Sequence, residues 1–455
     1  MSVPEDPLLP AITFLKAPVA LHERLALQYD FTYHQPVRQY AVEGRALEFV
    51  ADAVAGRYER LSRLSSEEIA RLPGMARAPL PAAFTNVPID VAIIDGSLGG
   101  PSLWAGHVAD YLMARGKRCL RASFHRAEFC IDDARIQGPQ PWNKFTFTHW
   151  VRAMIQILKP RRLLVVGREI GAKLFDLFSA TRATVLETGF AESSVIAEPV
   201  TPELLRRALS EVLFRADTYP WDSLAHAITA GACIRAAERN VLWSEAVFDT
   251  VRERFPDAPL TFLPPAVDTA RFRGGGARYG GALRILLGAG AHSLGPSGRS
   301  FLAVEPLISA AARVPDCLVT ILTSDTARLR EAVGSQRHVR ILPRVPWEQM
   351  PAVFGRHNLY YRVQNDSSLP TSCLEAMALG LPAIVNERAT SAFRALNPGV
   401  NVLTVPFGDS AVLEELLGRL HEDSELRRRV GEAGSRLVQE RCDLVANLRA
   451  IGWGS

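Results

Sequence analysis

Short apolar runs alternate with glycine turns and helical stretches through most of this chain. In the first half, the runs DVAII, KRCLRASF, RRLLVVG and ATVLETG predict strands. A helix is predicted over 104–116, where Gly116 ends it. Because strand, glycine turn, helix and strand follow one another in this order, the pattern indicates the βαβ unit of a parallel, doubly wound sheet.

The same alternation restarts after the glycine-rich stretch RFRGGGARYGG at 271–281, which lacks periodicity and is typical of a linker. Beyond it, further runs predict strands with helices between them: LRILLGAG, CLVTILTS, HVRILPRV, NLYYRV, PAIVN and VLTV. We therefore predict an α/β protein with two doubly wound, Rossmann-like domains at 87–272 and 282–440, joined by a linker at 273–281. Ligands of such sheets bind at the carboxyl ends of the strands, so a cleft between two facing domains is the expected site.

The two ends of the chain carry less information. Residues 1–86 predict a mostly helical N-terminal extension, with helices near 41–62 and 66–72. The sequence assigns this extension no chemistry. Residues 441–455 predict a C-terminal tail, for which a return to the first domain is one option.

Composition places the chain among ordinary globular proteins, since 48% of its 455 residues are hydrophobic and 22% are charged. The six cysteines are scattered and form no CxxC pair, which argues against a disulfide framework or a zinc site and suits a reducing cytosol. The N-terminal stretch lacks the basic region of a signal peptide, and no apolar run approaches the ~18 residues of a membrane span. A cytoplasmic location is therefore expected.

The formal charge of +4 favours anionic ligands. The stretch RGKRCLRASFHR at 115–126 contains five lysines and arginines and no acid. One interpretation is a peripheral contact with the inner face of a membrane or with a partner protein. The other is a solvated strand edge that its charge protects from pairing. The sequence contains no zinc-finger, RNP or basic-helix motif, so nucleic acid is not an expected partner.

The stretch SSLPTSCLEAMALGLPAIV at 367–385 contains one ionised residue, Glu375, within an apolar helix. Pro370 suits the first turn of that helix and Gly380 its end. The amides near the helix start form an anion site, and Glu375 lies about one and a half turns further in. A nucleoside diphosphate fits this arrangement, with its ribose diol on the carboxylate. The competing interpretation is structural: Glu375 caps a loop or pairs with an arginine.

This stretch resembles the signature of the group 1 glycosyltransferases, a retaining family with the GT-B fold of two Rossmann-like domains that face a central cleft. Its usual form has a glutamate, seven residues, and then Glu-Ala-Met-Ala-x-Gly-x-Pro. Further segments are similar to the family from about residue 88 to the C-terminus, and the C-terminal match is the more specific: 95–119, 262–272, 338–363, 397–409 and 425–434.

The resemblance implies transfer of a sugar from a nucleotide sugar to a hydroxyl acceptor, with no metal and no other cofactor. It implies that Glu375 binds the ribose, that Arg299 neutralises the leaving diphosphate, and that Arg344 and Val345 hold the base through backbone groups. The remaining residues that it assigns to donor binding are Leu369, Pro370, Thr371 and Ser368 around the diphosphate and sugar, and Gly99 and Gly100 in a loop against the donor phosphate.

The chain also departs from the family. Ser367 replaces the first glutamate of the signature, and Asp366, one residue away, is a candidate substitute; both are candidate catalytic residues. His125 is a third, on the acceptor side, although such a histidine is more often structural. The arginine that usually follows the first strand of the second domain is missing from GAGAHSLG.

Two explanations follow from these departures. Either the donor sugar is unusual, for example a deoxysugar, or the chain is an inactive or partner-dependent relative. A phosphorylase or epimerase on the same fold is a third alternative, but the sequence lacks a recognisable pyridoxal-lysine motif. The donor, the acceptor and the oligomeric state stay open.

Overall fold

The computed structural model describes most of the two predicted domains. The described residues are 88–96, 100–124, 126, 128–136, 147, 150–151, 154–155, 157–167, 170–171, 174, 177–178, 180–187, 231, 233–273, 279–288, 301–363 and 369–453. Several residues singled out by the sequence lie outside this set: the extension 1–86, Gly99, His125, Arg299, Asp366, Ser367 and Ser368. Their proposed roles stay predictions.

The chain divides into two compact units. The first unit comprises Met1–Leu242 and Val247–Thr261. The second unit comprises Trp243–Ala246 and Phe262–Ser455. The predicted limits of the linker and the tail stay predictions. Within the described residues, no helix combines the length and the apolar character needed to span a bilayer.

The first sheet has eight strands in the order β4-β3-β2-β1-β5-β6-β7-β8. Pairing is parallel from β2 through β1, β5 and β6 to β7, whereas β3 and β4 form an antiparallel hairpin at the edge that the sequence did not predict. The strands are β1 Val91–Asp95, β2 Cys119–Ser123, β3 Glu128–Ile131, β4 Ala134–Ile136, β5 Arg162–Val166, β6 Arg182–Glu187, β7 Arg239–Leu242 and β8 Leu260–Phe262. Helix α1 is Gly100–Met113, and helix α2 is Glu245–Arg254.

The second sheet has six strands in the order β11-β10-β9-β12-β13-β14, and all of its pairs are parallel. The strands are β9 Arg284–Gly288, β10 Leu318–Thr323, β11 Val339–Pro343, β12 Leu359–Arg362, β13 Ala383–Asn386 and β14 Leu403–Val405. The helices are α3 Phe301–Ala311, α4 Thr326–Val333, α5 Met350–Phe354, α6 Thr371–Ala378, α7 Ala389–Ala392, α8 Ser410–Glu422, α9 Ser424–Arg441 and α10 Leu444–Ala450. The prediction of two parallel α/β domains is confirmed.

The apolar runs form strands that are buried on both faces. In β9, Ile285 and Leu287 belong to one apolar cluster, while Leu286 belongs to another. The same alternation separates Tyr361 from Tyr360 in β12. Because successive side chains of a strand point to opposite faces, a continuous apolar run is what a sheet covered by helices on both sides requires.

Helix α6 packs closely against α9, and Gly431 allows the approach. A Cβ atom on Gly431 of α9 would collide with the carbonyl oxygen of Gly380, and the Ser435 hydroxyl donates to the Ala378 carbonyl oxygen at 2.9 Å. Gly380 has a φ of 85°, a left-handed conformation that ends α6 as the sequence predicted. This packing fixes the position of the helix that carries Glu375.

Candidate functional site

Strand β9 lies within the second sheet at the point where the strand order reverses. From β9 the chain continues to β10 and β11 on one side, and β12, β13 and β14 lie on the other. In open α/β sheets, ligands bind outside the carboxyl ends of the strands at such a point. Here those ends are Gly288 of β9 and Arg362 of β12, and helix α6 follows β12 in the chain.

The N-cap residue of α6 leaves the first turn of the helix without a side-chain cap. This residue is Pro370, with φ −62° and ψ 140°, and its side chain makes no cap hydrogen bond. Pro370 therefore precedes the helix, whereas the sequence placed it in the first turn. The amides of a first helical turn have no partner within the helix and favour anions. Leu369 is buried, and Thr371 is half-buried.

Glu375 lies one turn further along α6 and is 9% exposed. Its Oε1 accepts a hydrogen bond from the indole Nε1 of Trp347 at 2.8 Å. Burial raises the pKa of this carboxyl to about 7, and the bond from Trp347 opposes that shift. Among the described residues its hydrogen-bond partner is thus a neutral indole and not an arginine.

Trp347 is itself held on two sides. Its ring meets Phe272 edge-on at a centroid distance of 5.6 Å, and the guanidinium carbon of Arg271 lies 4.3 Å from the centroid of the indole. Arg271 in turn lies 3.8 Å from the carboxylate of Asp268. The indole N–H is therefore fixed toward Glu375 by a cation–π contact and an aromatic contact.

The structure places Arg344 and Val345 directly after β11, at the same carboxyl edge. The Arg344 amide donates to the Thr323 carbonyl oxygen at 3.1 Å, while its side chain is exposed. Val345 packs against the apolar cluster that also contains Leu374. These two residues, Leu369–Thr371 and Glu375 all belong to the second unit.

Gly100 opens helix α1, which follows β1 in the first unit. Its predicted partner in the donor loop, Gly99, lies outside the described residues. The role of this loop stays a prediction.

The sequence analysis missed two polar residues of the carboxyl edge, Trp347 and Arg362. Trp347 begins a short 3₁₀ helix, Trp347–Gln349, four residues after β11 ends. Its place just beyond a predicted strand was a usable signal, but its bond to Glu375 joins residues 28 positions apart. Arg362 lies inside the run NLYYRV, for which the sequence predicts only a strand.

The comparisons agree with this fold. Residues 307–437 match the family model described as "Glycosyl transferases group 1". No curated protein matches the chain.

Several solved structures are similar over most of the chain. A sucrose-phosphate synthase from Thermosynechococcus elongatus has a TM-score of 0.59 and 15% identity, covering 80% of this chain and 97% of that one. HepE from Anabaena in complex with UDP and glucose has a TM-score of 0.55 and 13% identity, covering 80% and 98%. A glycosyltransferase from Rickettsia africae has a TM-score of 0.54 and 12% identity, covering 80% and 97%.

At these identities the similar structures establish the fold, and the family model identifies the domain that contains Glu375. Residues 307–437 of this chain are therefore similar to the group 1 glycosyltransferases, and the fold of the chain is GT-B.

Proposed function

We propose that this protein transfers a sugar from a nucleoside-diphosphate donor to a hydroxyl acceptor with retention of configuration. The ribose diol of the donor donates hydrogen bonds to the carboxylate of Glu375, and the diphosphate faces the amides of the first turn of α6. The bond from the sugar C1 to the diphosphate oxygen breaks, and a bond from C1 to the acceptor oxygen forms on the same face. The acceptor proton leaves on the diphosphate oxygen.

One observation carries this proposal: Glu375 is buried in an apolar helix, at the carboxyl edge of a parallel sheet, with a neutral indole as its partner. A buried carboxylate is expensive unless hydrogen-bond donors surround it. The indole satisfies one oxygen, and a ribose diol supplies two further donors. A structural role would be served better by an arginine or by an apolar residue at this position.

The complexes of HepE with UDP and with UDP-glucose support a UDP-sugar as the first donor to test. We propose that no metal and no other cofactor is needed, because helix amides can supply positive potential to the diphosphate. The acceptor is a hydroxyl group of a glycan, glycolipid, protein or small molecule.

A thermal-shift screen with UDP, GDP and dTDP, followed by calorimetry, tests the proposal. A ligand that binds only the folded state raises the unfolding midpoint by mass action. We expect a rise with one of the three nucleotides and hydrolysis of the corresponding nucleotide sugar in the absence of an acceptor. If none of the three binds, the proposed function is wrong.

A second candidate function follows from Ser367, which replaces the first glutamate of the family signature. In that case the chain binds the nucleotide but needs a partner protein for turnover. The same assay separates the two candidate functions. The nucleotide raises the unfolding midpoint of a partner-dependent subunit, but without its partner this subunit does not hydrolyse the nucleotide sugar.

Replacing Trp347 with phenylalanine removes the hydrogen bond to Glu375 and keeps an aromatic ring. The bond favours the ionised carboxyl, so its loss raises the pKa of Glu375 further. Nucleotide affinity of the wild type should fall as the pH drops through about 7, and in Trp347→Phe this fall should begin at higher pH. Calorimetry from about pH 6 to about pH 9 measures the affinity of both proteins as a function of pH.

The control for this shift is the same substitution combined with Glu375→Gln. If Trp347 acts through the carboxyl, the double variant and Glu375→Gln alone show the same pH profile, which is that of the terminal phosphate of the ligand. An equal loss of affinity at every pH would contradict the assignment, because it would indicate that Trp347 acts only through packing.

A further inference from the structure

Arg362 ends strand β12 next to the end of β9, where the strand order of the second sheet reverses. Its Nη1 donates a hydrogen bond to the Gly288 carbonyl oxygen. Its Nε is buried and has no hydrogen-bond partner, and no acid in the described part of the chain forms an ion pair with it. The guanidinium is thus half-buried and only partly satisfied.

Arg362 is linked to the first turn of α6 through Gly288 and the Tyr360 hydroxyl. The Tyr360 hydroxyl donates to Ser372 Oγ at 2.8 Å, and a Cβ atom added to Gly288 would lie 3.0 Å from the same hydroxyl. Gly288 therefore lies against the Tyr360 hydroxyl, which bonds to Ser372 in the first turn of α6. The carbonyl oxygen of Gly288 accepts the hydrogen bond from Arg362. Cys373 follows Ser372 in α6. Burial raises the pKa of its thiol to about 12, and the charge of Arg362 opposes this effect.

Glu375 is not the counterion of Arg362. Its carboxylate is bonded to Trp347, and the causes that shift its pKa are burial and that bond. The half-buried cation acts on Cys373 of α6, and the N-cap residue of the same helix supplies no side-chain cap, so the cation and the positive end of the helix are neighbours at the carboxyl edge of the sheet. Two such groups without an anion destabilise each other, so the arrangement favours an anionic ligand.

We propose that Arg362 binds the diphosphate of the nucleotide donor, together with the first-turn amides of α6. The proposal rests on the proposed function, since Glu375 is to hold the ribose of the same ligand. Thr371 and Glu375 are four residues apart, which is about 6 Å along a helix. A ribose joined through its 5′ oxygen to a diphosphate spans such a distance. Arg362, with its planar fork of donors, suits two phosphate oxygens at once.

The test compares ligands that share the nucleoside and differ in the phosphates. Calorimetry with the full chain measures the affinities for uridine, UDP and inorganic pyrophosphate. If the screen selects another nucleotide, guanosine and GDP or thymidine and dTDP replace uridine and UDP. We expect Arg362→Met to weaken nucleoside-diphosphate and pyrophosphate binding about ten- to a hundredfold, and to leave nucleoside binding unchanged. Arg362→Lys should recover part of the loss, because it keeps the charge without the fork.

Arg284 provides a matched control. It begins the same β9 strand at the opposite edge of the sheet, and its side chain is exposed. Arg284→Met should change none of the three affinities. Thermal unfolding of each variant without ligand shows whether the fold is intact.

The outcomes separate the two proposals. Unchanged diphosphate affinity in Arg362→Met, or an equal loss for nucleoside and diphosphate, overturns the role of Arg362 and leaves the proposed function standing. A loss confined to Arg299→Met also overturns it, because Arg299 is then the cation at the phosphate. If pyrophosphate binds and depends on Arg362 while no nucleotide binds, the anion site is supported and the proposed function fails. If neither binds, both are wrong.

Discussion

Replacing Glu375 with glutamine should stabilise the protein at pH 8 and, at the same pH, weaken its binding of nucleotides. Burial raises the pKa of this carboxyl from 4.5 to about 7 in the folded chain. Between these two values the folded state binds more protons than the unfolded state, so the contribution of Glu375 to stability falls as the pH rises. Above pH 7 the buried charge destabilises the fold by about 3 kcal/mol, and glutamine removes it.

The pH dependence provides the sharper part of this prediction. Near pH 4.5 the carboxyl is protonated in the folded state and about half protonated in the unfolded state, so wild type and Glu375→Gln should unfold at nearly the same urea concentration. At pH 8 the variant should be the more stable, since the glutamine keeps an oxygen that accepts from Trp347. Urea unfolding at both pH values, followed by the fluorescence of the tryptophans, measures the difference.

Binding should change in the opposite direction. A glutamine accepts hydrogen bonds less strongly than a carboxylate, so we expect nucleotide affinity at pH 8 to fall at least about tenfold. Glu348 is an exposed acid on the neighbouring 3₁₀ helix, and Glu348→Gln is the matched control that should change neither quantity. A Glu375→Gln variant that loses stability at pH 8 and keeps its affinity would show that the carboxylate is structural.

Much of this site was predictable because burial and helix limits are local properties of the sequence. One acid among small and apolar residues, with Pro370 before it and Gly380 after it, predicts a buried carboxylate near a helix start. The apolar runs predicted the parallel strands because only a sheet that is covered on both faces buries them completely.

The parts that were missed depend on contacts between distant residues or on weak local signals. The bond from Trp347 to Glu375 needs the end of β11 and helix α6 to lie side by side. The hairpin of β3 and β4 was missed because its strands are short and partly charged. A signal for it was present, since Asp132 in its turn has a φ of 51°, a conformation that aspartate tolerates better than most residues.

Arg362 shows a further limit of the sequence. An arginine at the end of a strand is usually solvated, and only the three-dimensional structure reveals that its Nε is buried and that its neighbour across the sheet is Gly288. The direction of a long side chain depends on the strands beside it, and their order is a property of the whole sheet.

The largest loss of stability is expected from Arg427→Met in helix α9. Arg427 is 1% exposed, and its guanidinium donates to backbone carbonyl oxygens only. Nε donates to the Tyr279 carbonyl at 2.7 Å and Nη2 to the Gly281 carbonyl at 3.2 Å, while Nη1 reaches the carbonyl of Leu420 at the end of α8. Methionine fills a similar volume but leaves these acceptors buried without donors, which we expect to cost about 3–5 kcal/mol.

The neighbouring residue shows why burial decides the size of this effect. Arg428 forms ion pairs with Glu425 and Glu432 on the surface of the same helix, where water competes for every partner. Arg428→Met should therefore change the unfolding midpoint little, and Arg427→Lys should recover only part of the loss because an ammonium cannot reach three carbonyls in a plane. Since Tyr279 and Gly281 lead directly into β9, the Arg427→Met variant should also lose protection from hydrogen exchange in β9 before it does so in β1. Equal midpoints for Arg427→Met and Arg428→Met in urea would show that water replaces the guanidinium without penalty.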